Sequence, residues 1–173
     1  MAFWNRPNPA HPTVVNTPAK KAGWAAVLVV LVPLVAGYEG LFLHPYYDIV
    51  HVKTVCYGET AADHVDLSRS YTKAECEDML GNSLPKYDAM IQKCLTKATY
   101  DALPVHRHAA LVSFTYNLGG GAFCHSAIPR YLNVGNVAAG CRAILAYDHA
   151  GGRRVKGLTT RRQGEYKLCL MSN

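Results

Sequence analysis

The chain has 173 residues, enough for one domain or two small lobes around an ordinary hydrophobic core. Its apolar share of 50% and charged share of 17% are typical of a globular protein with one unusually apolar segment. The formal net charge of +6 indicates either a solvated basic surface or an anionic partner such as a membrane or a cell wall. Nucleic acid is not expected as a partner, because no recognition motif interleaves the basic residues with aromatic ones.

The N-terminus has a Pro-rich part and an apolar part. Residues 1–21 have little that could pack, which predicts a flexible basic tail. Residues 22–38 follow, and Ala22–Gly37 is an uncharged run of 16 residues. As a helix this run would be about 24 Å long, which is short for a hydrocarbon core of about 30 Å. The basic pair before it predicts a cytoplasmic tail and an exported remainder.

Four interpretations of the apolar run are open: a cleaved signal peptide, a permanent anchor, a weak signal-anchor that can leave the bilayer, and a buried core helix. The cleavage signature is poor, with Val35-Ala36-Gly37 as its best candidate. The short length and the Gly and Ala content favour the weak signal-anchor. We therefore expect a segment that enters the membrane and can be released from it.

All the cysteines of the chain lie after the apolar run. An even number in the exported part suggests disulfides, although six cysteines allow 15 pairings. The absence of a CxxC pair argues against a structural zinc site, so no metal is expected. The six are Cys56, Cys76, Cys94, Cys124, Cys141 and Cys169.

The next segment predicts a small β region and then a long helix. Leu41–Gly58 mixes aromatic and β-branched residues with polar turns, as hairpins do. A capping box follows, with Thr72 as the N-cap and Glu75 as the third helical residue. Apolar residues then recur at helical spacing over residues 76–95. Pro85 falls within that stripe and predicts a kink or two shorter helices.

Three more helices are predicted toward the C-terminus. Pro104 opens the first of them, and Gly119–Gly121 closes it. Pro129–Ala146 and Thr159–Met171 are the other two. The predicted class is therefore α+β, with a small β-hairpin lobe followed by a mostly helical lobe.

Glu39, Asp48 and Thr54 are a candidate catalytic set. Glycoside hydrolysis needs one carboxylic acid to protonate the leaving oxygen and a second carboxylate to orient water or stabilise the oxocarbenium ion. A glutamate at the end of an apolar helix is partly desolvated, which favours its acid form. An aspartate in a polar turn stays ionised, and a neighbouring threonine can help to hold a water. Taken alone this spacing is a weak signal, because solvated turn residues give the same pattern.

Four segments of the chain occur in an order that is specific to one family. Glu39, Asp48 and Thr54 fit the active-site signature EGxxLxxYxDxxxxxTxGxG, and YTKAECEDML follows it. Residues 113–126 read SFTYNLGGGAFCHS, and residues 150–165 read AGGRRVKGLTTRRQGE. Together these segments resemble the phage-type lysozymes, glycoside hydrolase family 24. The apolar N-terminus also resembles the signal-anchor-release subgroup of phage endolysins.

The resemblance implies a lysozyme-like fold in which a long helix joins the two lobes. An apolar signal-anchor helix would precede that fold. The implied divisions are a cytoplasmic tail at 1–21, a signal-anchor-release segment at 22–38 and a lysozyme domain at 39–173, which comprises an active-site β lobe at 39–71, an inter-lobe helix at 72–97 and a helical lobe at 98–173.

The resemblance also implies a role for each matching residue. Glu39 would be the general acid, Asp48 would activate or position water, and Thr54 would assist it. On the substrate side, Tyr116 would be an aromatic residue that lines the glycan cleft, and Ser126 would be a serine of the cleft wall. Arg161 would be an arginine that approaches the catalytic glutamate.

Three positions depart from the family pattern. Cys56 stands where a glycine is usual, Glu59 where a histidine is usual, and Tyr116 where a phenylalanine is common. The catalytic set is intact, so these departures bear on the details of the hairpin.

The cysteine pairs are also implied by the resemblance. Four of the six stand at positions that are cysteine in related signal-anchor-release endolysins, which leaves Cys94 and Cys124 as the additional pair. The expected disulfides are Cys56–Cys76, Cys94–Cys124 and Cys141–Cys169.

The implied function is that of an endolysin. Its substrate would be the β-1,4 bond between N-acetylmuramic acid and N-acetylglucosamine in peptidoglycan, hydrolysed with inversion and without a cofactor. We expect a monomer that is held in the host inner membrane facing the periplasm and then released into the periplasm. One alternative is a cell-wall peptidase or amidase that uses a Cys nucleophile, such as Cys56, together with a His. Another is a non-enzymatic protein that disrupts membranes through the apolar segment.

Overall fold

The computed structural model describes residues 23–48 and 51–172. The tail predicted at 1–21 and the first residue of the apolar run lie outside the described residues. Within them the chain begins with helix α1, Trp24–Tyr38, continues through a three-stranded sheet, and ends in a group of helices. A lysozyme-like α+β arrangement of this kind is the class that the sequence predicts.

The small lobe is an antiparallel sheet in the order β1-β2-β3. Its strands are β1 (Phe42–Tyr47), β2 (Lys53–Cys56) and β3 (Glu59–Thr60). Thr54 lies on the central strand, opposite Tyr46 on one side and Thr60 on the other. The hairpin predicted over Leu41–Gly58 is therefore confirmed, and a third short strand extends it.

Cys56 explains one departure from the family pattern. Its φ of 57° lies in the left-handed region, which a residue with a Cβ atom rarely adopts and a glycine adopts freely. The usual glycine at this position therefore fits the turn. Here Cys56 holds the same conformation while bonded to Cys76, and their Cα atoms are 5.2 Å apart.

The long helix α2, Lys73–Gln92, begins at the predicted capping box. The Thr72 hydroxyl accepts a hydrogen bond from the Glu75 N–H at 3.2 Å, and the Glu75 carboxylate accepts one from the Thr72 N–H at 2.7 Å. The helix runs as one element through Pro85, so the alternative of two shorter helices is wrong.

Short helix α3 (Lys97–Asp101) leads to α4 (Val105–His125), for which Pro104 is the N-cap. The predicted end of α4 at the glycines is close to what is found. Gly119 has φ 82° and ψ 160°, which interrupts the helix where its end was predicted. The helix then resumes and ends at His125.

The C-terminal part differs from the prediction in three places. The helix predicted at Pro129–Ala146 is in fact α5 (Ala127–Asn133) and α6 (Val137–Ala143), separated by a turn at Gly135 with φ 77°. The last helix, α7 (Lys156–Leu170), begins three residues earlier than predicted. Before it, β4 (His149–Ala150) and β5 (Arg153–Arg154) form a hairpin that was not predicted.

Helix α1 is part of the core. Val27, Leu31 and Val35 are fully buried, and the helix packs mainly against α4 and also touches α2. Over the described residues, no helix combines the length and apolarity that crossing a membrane requires. In this structure the apolar run is therefore docked on the helical lobe.

Three disulfides tie the elements together, and they are the pairs expected from the sequence. Cys56–Cys76 joins β2 to α2, Cys94–Cys124 joins the turn after α2 to the end of α4, and Cys141–Cys169 joins α6 to α7. Each closes a stretch of 20 to 30 residues. Such cross-links stabilise a small protein chiefly by restricting its unfolded chain.

Candidate active site

Glu39 lies at the junction of the two lobes. It is the C-cap of α1, and its N–H donates to the carbonyl oxygen of Val35 at 3.0 Å. The next strand, β1, starts three residues later, so the chain passes from the helical lobe to the sheet just after this glutamate. Its side chain is 27% exposed, which leaves the carboxylate accessible.

Arg161 holds the Glu39 carboxylate from the opposite end of the chain. Its Nη1 donates to Glu39 Oε1 at 2.6 Å, the short distance of a charge-assisted bond. Arg161 itself is buried on α7, and its Nη2 donates to the carbonyl oxygen of Ser113 on α4 at 3.2 Å. The sequence-based expectation that this arginine approaches the glutamate therefore agrees with the geometry.

Beneath Arg161 is a buried ionic group that the sequence analysis did not assign. Glu165 is fully buried and accepts hydrogen bonds from Arg161 Nε at 3.1 Å and from the Ser113 hydroxyl at 2.8 Å. Arg162 is also fully buried, and its Nε lies 3.2 Å from Glu165 Oε2. Its Nη2 donates to Asn117 Oδ1 at 2.7 Å. Two guanidinium groups thus share one buried carboxylate.

Tyr38 completes the surroundings of Arg161. The guanidinium carbon of Arg161 lies 5.1 Å from the centre of the Tyr38 ring, within the range of a cation–π contact. Burial raises the pKa of the Tyr38 hydroxyl, and the nearby Glu165 carboxylate raises it further. The residue before Glu39 therefore contacts the same arginine as Glu39 does.

Asp48 directly follows β1, and Thr54 lies near the start of β2. The Asp48 carboxylate accepts the Val52 N–H at 2.8 Å, and its own N–H donates to the Val52 carbonyl at 3.0 Å. Thr54 is buried, and its hydroxyl donates to the same Val52 carbonyl at 3.0 Å. The fold thus gathers Asp48 and Thr54 around one backbone unit.

Tyr116 connects the helical lobe to the sheet. Its hydroxyl donates to the carbonyl of Tyr57 at 3.0 Å, and its ring centre lies 4.9 Å from that of Tyr87 on α2. Burial raises the pKa of the Tyr116 hydroxyl, and the Glu39 and Glu59 carboxylates raise it further. A phenylalanine here would lack the hydrogen bond between the lobes.

The side chains of Glu59 and Ser126 both form hydrogen bonds with nearby backbone groups. Glu59 is buried and accepts the Tyr57 N–H at 2.8 Å, and burial raises the pKa of its carboxyl group. The Ser126 hydroxyl donates to the Phe123 carbonyl at 2.7 Å and accepts the Ile128 N–H at 3.0 Å, so it caps α5. Its hydroxyl therefore serves the turn between α4 and α5.

Sequence reasoning named Glu39 and Arg161 but missed the residues that hold Arg161. One signal was present, because Arg161 and Glu165 are four residues apart, a spacing that places both on one face of a helix. Ser113 and Tyr38 gave no such signal, since their contacts come from the packing of three separate helices. Over the described residues no group of three or more His, Cys, Asp or Glu side chains could hold a metal ion.

Comparison with known proteins gives a consistent result. The chain matches the phage lysozyme family over residues 36–165. It is 38% identical over 134 residues to the SAR-endolysins of Enterobacteria phages PA-2 and P21, covering 78% of this chain and 78% of each relative. A crystal structure of a mutant P22 lysozyme is 25% identical with a TM-score of 0.72, covering 81% of this chain and 94% of that one. With a family match over most of its length and with the signature glutamate held by an arginine from its last helix, this chain belongs to the phage lysozyme family.

Proposed function

We propose that the protein is a phage endolysin that hydrolyses the β-1,4 bond between N-acetylmuramic acid and N-acetylglucosamine in peptidoglycan. The observation that carries this proposal is the partly exposed Glu39 carboxylate, which accepts a hydrogen bond from Arg161 at the junction of the lobes. Its relatives, the SAR-endolysins of Enterobacteria phages PA-2 and P21, support the lytic role. Hydrolysis of the glycan strands weakens the wall, and the host cell then lyses.

Glu39 acts as the general acid in this proposal. It delivers a proton to the glycosidic oxygen while charge develops on the sugar ring. In the structure Glu39 is paired with Arg161, so the pair must loosen as the glycan enters. Asp48 and Thr54 hold the attacking water, and a water that attacks from the opposite face inverts the anomeric carbon. The side chains of Tyr116 and Ser126 belong to the wall of the glycan cleft.

The Glu39→Gln substitution tests whether Glu39 is the general acid. Glu39→Gln is expected to lower the rate of muramidase activity by about 10²–10⁴-fold, because an amide cannot deliver the proton. Asp48→Asn should be nearly as damaging and Thr54→Ala less so. The measurement is the release of reducing sugars from purified peptidoglycan, with melting temperature as the control for folding. Full activity in folded Glu39→Gln protein would refute the assignment.

The apolar N-terminus supports a mode of regulation as well. We propose that residues 22–38 hold the newly made protein in the inner membrane, with residues 1–21 in the cytoplasm and residues 39–173 in the periplasm. While the segment is in the bilayer, α1 is not available to pack on α4, and Glu39 is kept at the membrane surface. Release lets α1 dock as it does here, with Val27, Leu31 and Val35 buried. Because the segment contains no cysteine, the switch does not involve thiol exchange with it.

The same digest separates the lysozyme from its alternatives. New reducing sugars indicate a lysozyme, new amino groups indicate a peptidase or amidase, and neither product indicates a protein that only disrupts membranes. A Cys nucleophile is disfavoured, because all six cysteines are in disulfides. The anomeric form of the first product, followed by NMR, tests inversion.

A further inference from the structure

We propose that Tyr38 is a positioning residue, which packs against Gly164 of α7 and thereby positions Glu39. The proposal rests on the muramidase function above and adds a requirement to it. Docking of α1 anywhere on the helical lobe is not enough for activity. The helix must dock with Tyr38 in a space beside the backbone of α7 that is open because Gly164 has no side chain. We call this space the notch.

The notch is visible in the contact between α1 and α7. A Cβ atom added to Gly164 would lie 2.0 Å from the Tyr38 hydroxyl oxygen and 3.3 Å from Cζ of its ring. The first distance is far inside van der Waals contact, so a side chain at Gly164 and Tyr38 in its present place exclude each other. Gly164 lies inside α7 and has no positive φ, so its backbone conformation does not require a glycine. The close approach of the Tyr38 hydroxyl is what requires a glycine at this position.

Arg161 contacts the same tyrosine ring. Its guanidinium carbon lies 5.1 Å from the ring centre, and it is fixed by hydrogen bonds to Glu165 and to the Ser113 carbonyl. The ring therefore contacts both the backbone of α7 at Gly164 and a side chain that its own hydrogen bonds hold in place. Displacement of the ring takes a contact away from Arg161, and Nη1 of the same arginine donates to the Glu39 carboxylate.

The position of Tyr38 on α1 couples the notch to docking of the whole helix. Val27, Leu31, Val35 and Tyr38 follow one another at steps of four, four and three, so they share one face. The first three are buried in the core, and the fourth enters the notch. A slip of one residue would rotate the face by about 100° and take Tyr38 away from Gly164. The notch thus accepts one register of α1, and that register brings Glu39 to Arg161.

Gly164→Ala is the test, with Gly157→Ala as the matched control. Both glycines are in α7, and a Cβ atom at Gly157 meets nothing within 4 Å. Since alanine is the better helix former, a glycine without a special contact gains from this change. We expect Gly157→Ala to keep the wild-type rate. Gly164→Ala should fold, with its three disulfides intact, but lose about 10- to 100-fold in kcat on soluble peptidoglycan fragments, with a smaller change in KM.

A second substitution shows whether the loss acts through Tyr38. Tyr38→Phe removes the hydroxyl oxygen that lies nearest to the new methyl group, so Gly164→Ala made in that background should cost less than threefold relative to Tyr38→Phe alone. Equal rates for Gly164→Ala and wild type, or an unreduced loss in the Tyr38→Phe background, would overturn the proposal. Failure of the proposed function looks different, because the wild-type protein would then release no reducing sugars at all.

Discussion

Arg161 organises the candidate site because one planar guanidinium group meets three different acceptors. It donates to Glu39 at the protein surface, to Glu165 in the interior and to the Ser113 carbonyl on α4. Arginine presents several donors in a fixed plane, which suits such a junction better than a single ammonium group does. The buried charge is offset by the buried Glu165, and an unpaired charge there would be strongly destabilising.

Arg161→Lys should therefore reduce activity more than it reduces stability. A lysine keeps the charge but cannot reach Glu39, Glu165 and Ser113 together. We expect a fall of about 10- to 100-fold in the rate of reducing-sugar release, from looser placement of Glu39. The free energy of unfolding should fall by about 1–3 kcal/mol, from lost hydrogen bonds.

Arg162→Lys is the control for that variant. Arg162 is equally buried and shares Glu165, but its other partner is Asn117 and not Glu39. A similar loss of stability with most of the activity kept is the expected result. If both lysine variants lose activity to the same extent, the effect is one of general packing and not of Glu39 placement.

The sequence could name the candidate site residues, but not the residues that hold them. Glu39, Asp48, Thr54 and Arg161 belong to compact motifs, and a motif can be read along the chain. Tyr38 and Gly164 are 126 positions apart and meet only when α1 docks on the helical lobe. Nothing in the local sequence marks such a pair, because a tyrosine and a helical glycine each have many ordinary uses.

Helix α2 shows an element whose start is fixed by local chemistry. Its capping box was predicted from four consecutive residues, and the structure contains both reciprocal bonds between Thr72 and Glu75. Arg69 adds a third donor to the Glu75 carboxylate, at 2.9 Å. Hydrogen bonds from Thr72 and then from Arg69 lower the pKa of Glu75 from 4.5 to about 2.

That lowered pKa predicts how stability depends on pH. Between the unfolded and folded pKa values the unfolded chain binds more protons at Glu75, so this group's contribution is complete above 4.5 and is lost as the pH falls through about 2. Glu75→Gln keeps a capping side chain that does not ionise. The melting temperature of the wild type should fall relative to this variant between about pH 5 and about pH 2.

Glu77→Gln controls for the loss of one negative charge on α2, since Glu77 faces Lys73 at a longer 3.6 Å. Parallel melting curves for wild type and Glu75→Gln over that whole pH range would contradict the prediction.

Other elements were harder to predict, for identifiable reasons. The β4–β5 hairpin has a Gly-Gly turn, but its strands are two residues each, too short for a visible alternation. The division of 129–146 into α5 and α6 depends on Gly135, an isolated glycine within a helical pattern. Gly119 was easier, because three consecutive glycines are a strong stop signal.

The proposed release mechanism gives the whole molecule two positions for one helix, in the membrane and on the helical lobe. The sequence of that helix is apolar all round, so periodicity alone cannot decide between a bilayer and a protein core. In the docked state Val27, Leu31 and Val35 face the core, while Ala25, Ala26 and Gly23 are exposed. The three small residues contribute little to docking, and their small side chains also weaken retention in a membrane.

Replacing Gly23, Ala25 and Ala26 with Leu therefore separates the two states. In the docked protein these positions face solvent, and a Cβ atom at Gly23 meets nothing within 4 Å, so α1 should still pack. In the membrane each added CH₂ contributes about 0.8 kcal/mol, so retention strengthens by several kcal/mol. We expect the variant to stay in the membrane fraction and to delay lysis, whereas the opposite change, Ala25→Ser with Ala26→Ser, should hasten release. The detergent-solubilised Leu variant should recover muramidase activity as α1 docks. A Leu variant that fractionates as soluble and lyses cells on the wild-type schedule would show that release of this segment does not control the enzyme.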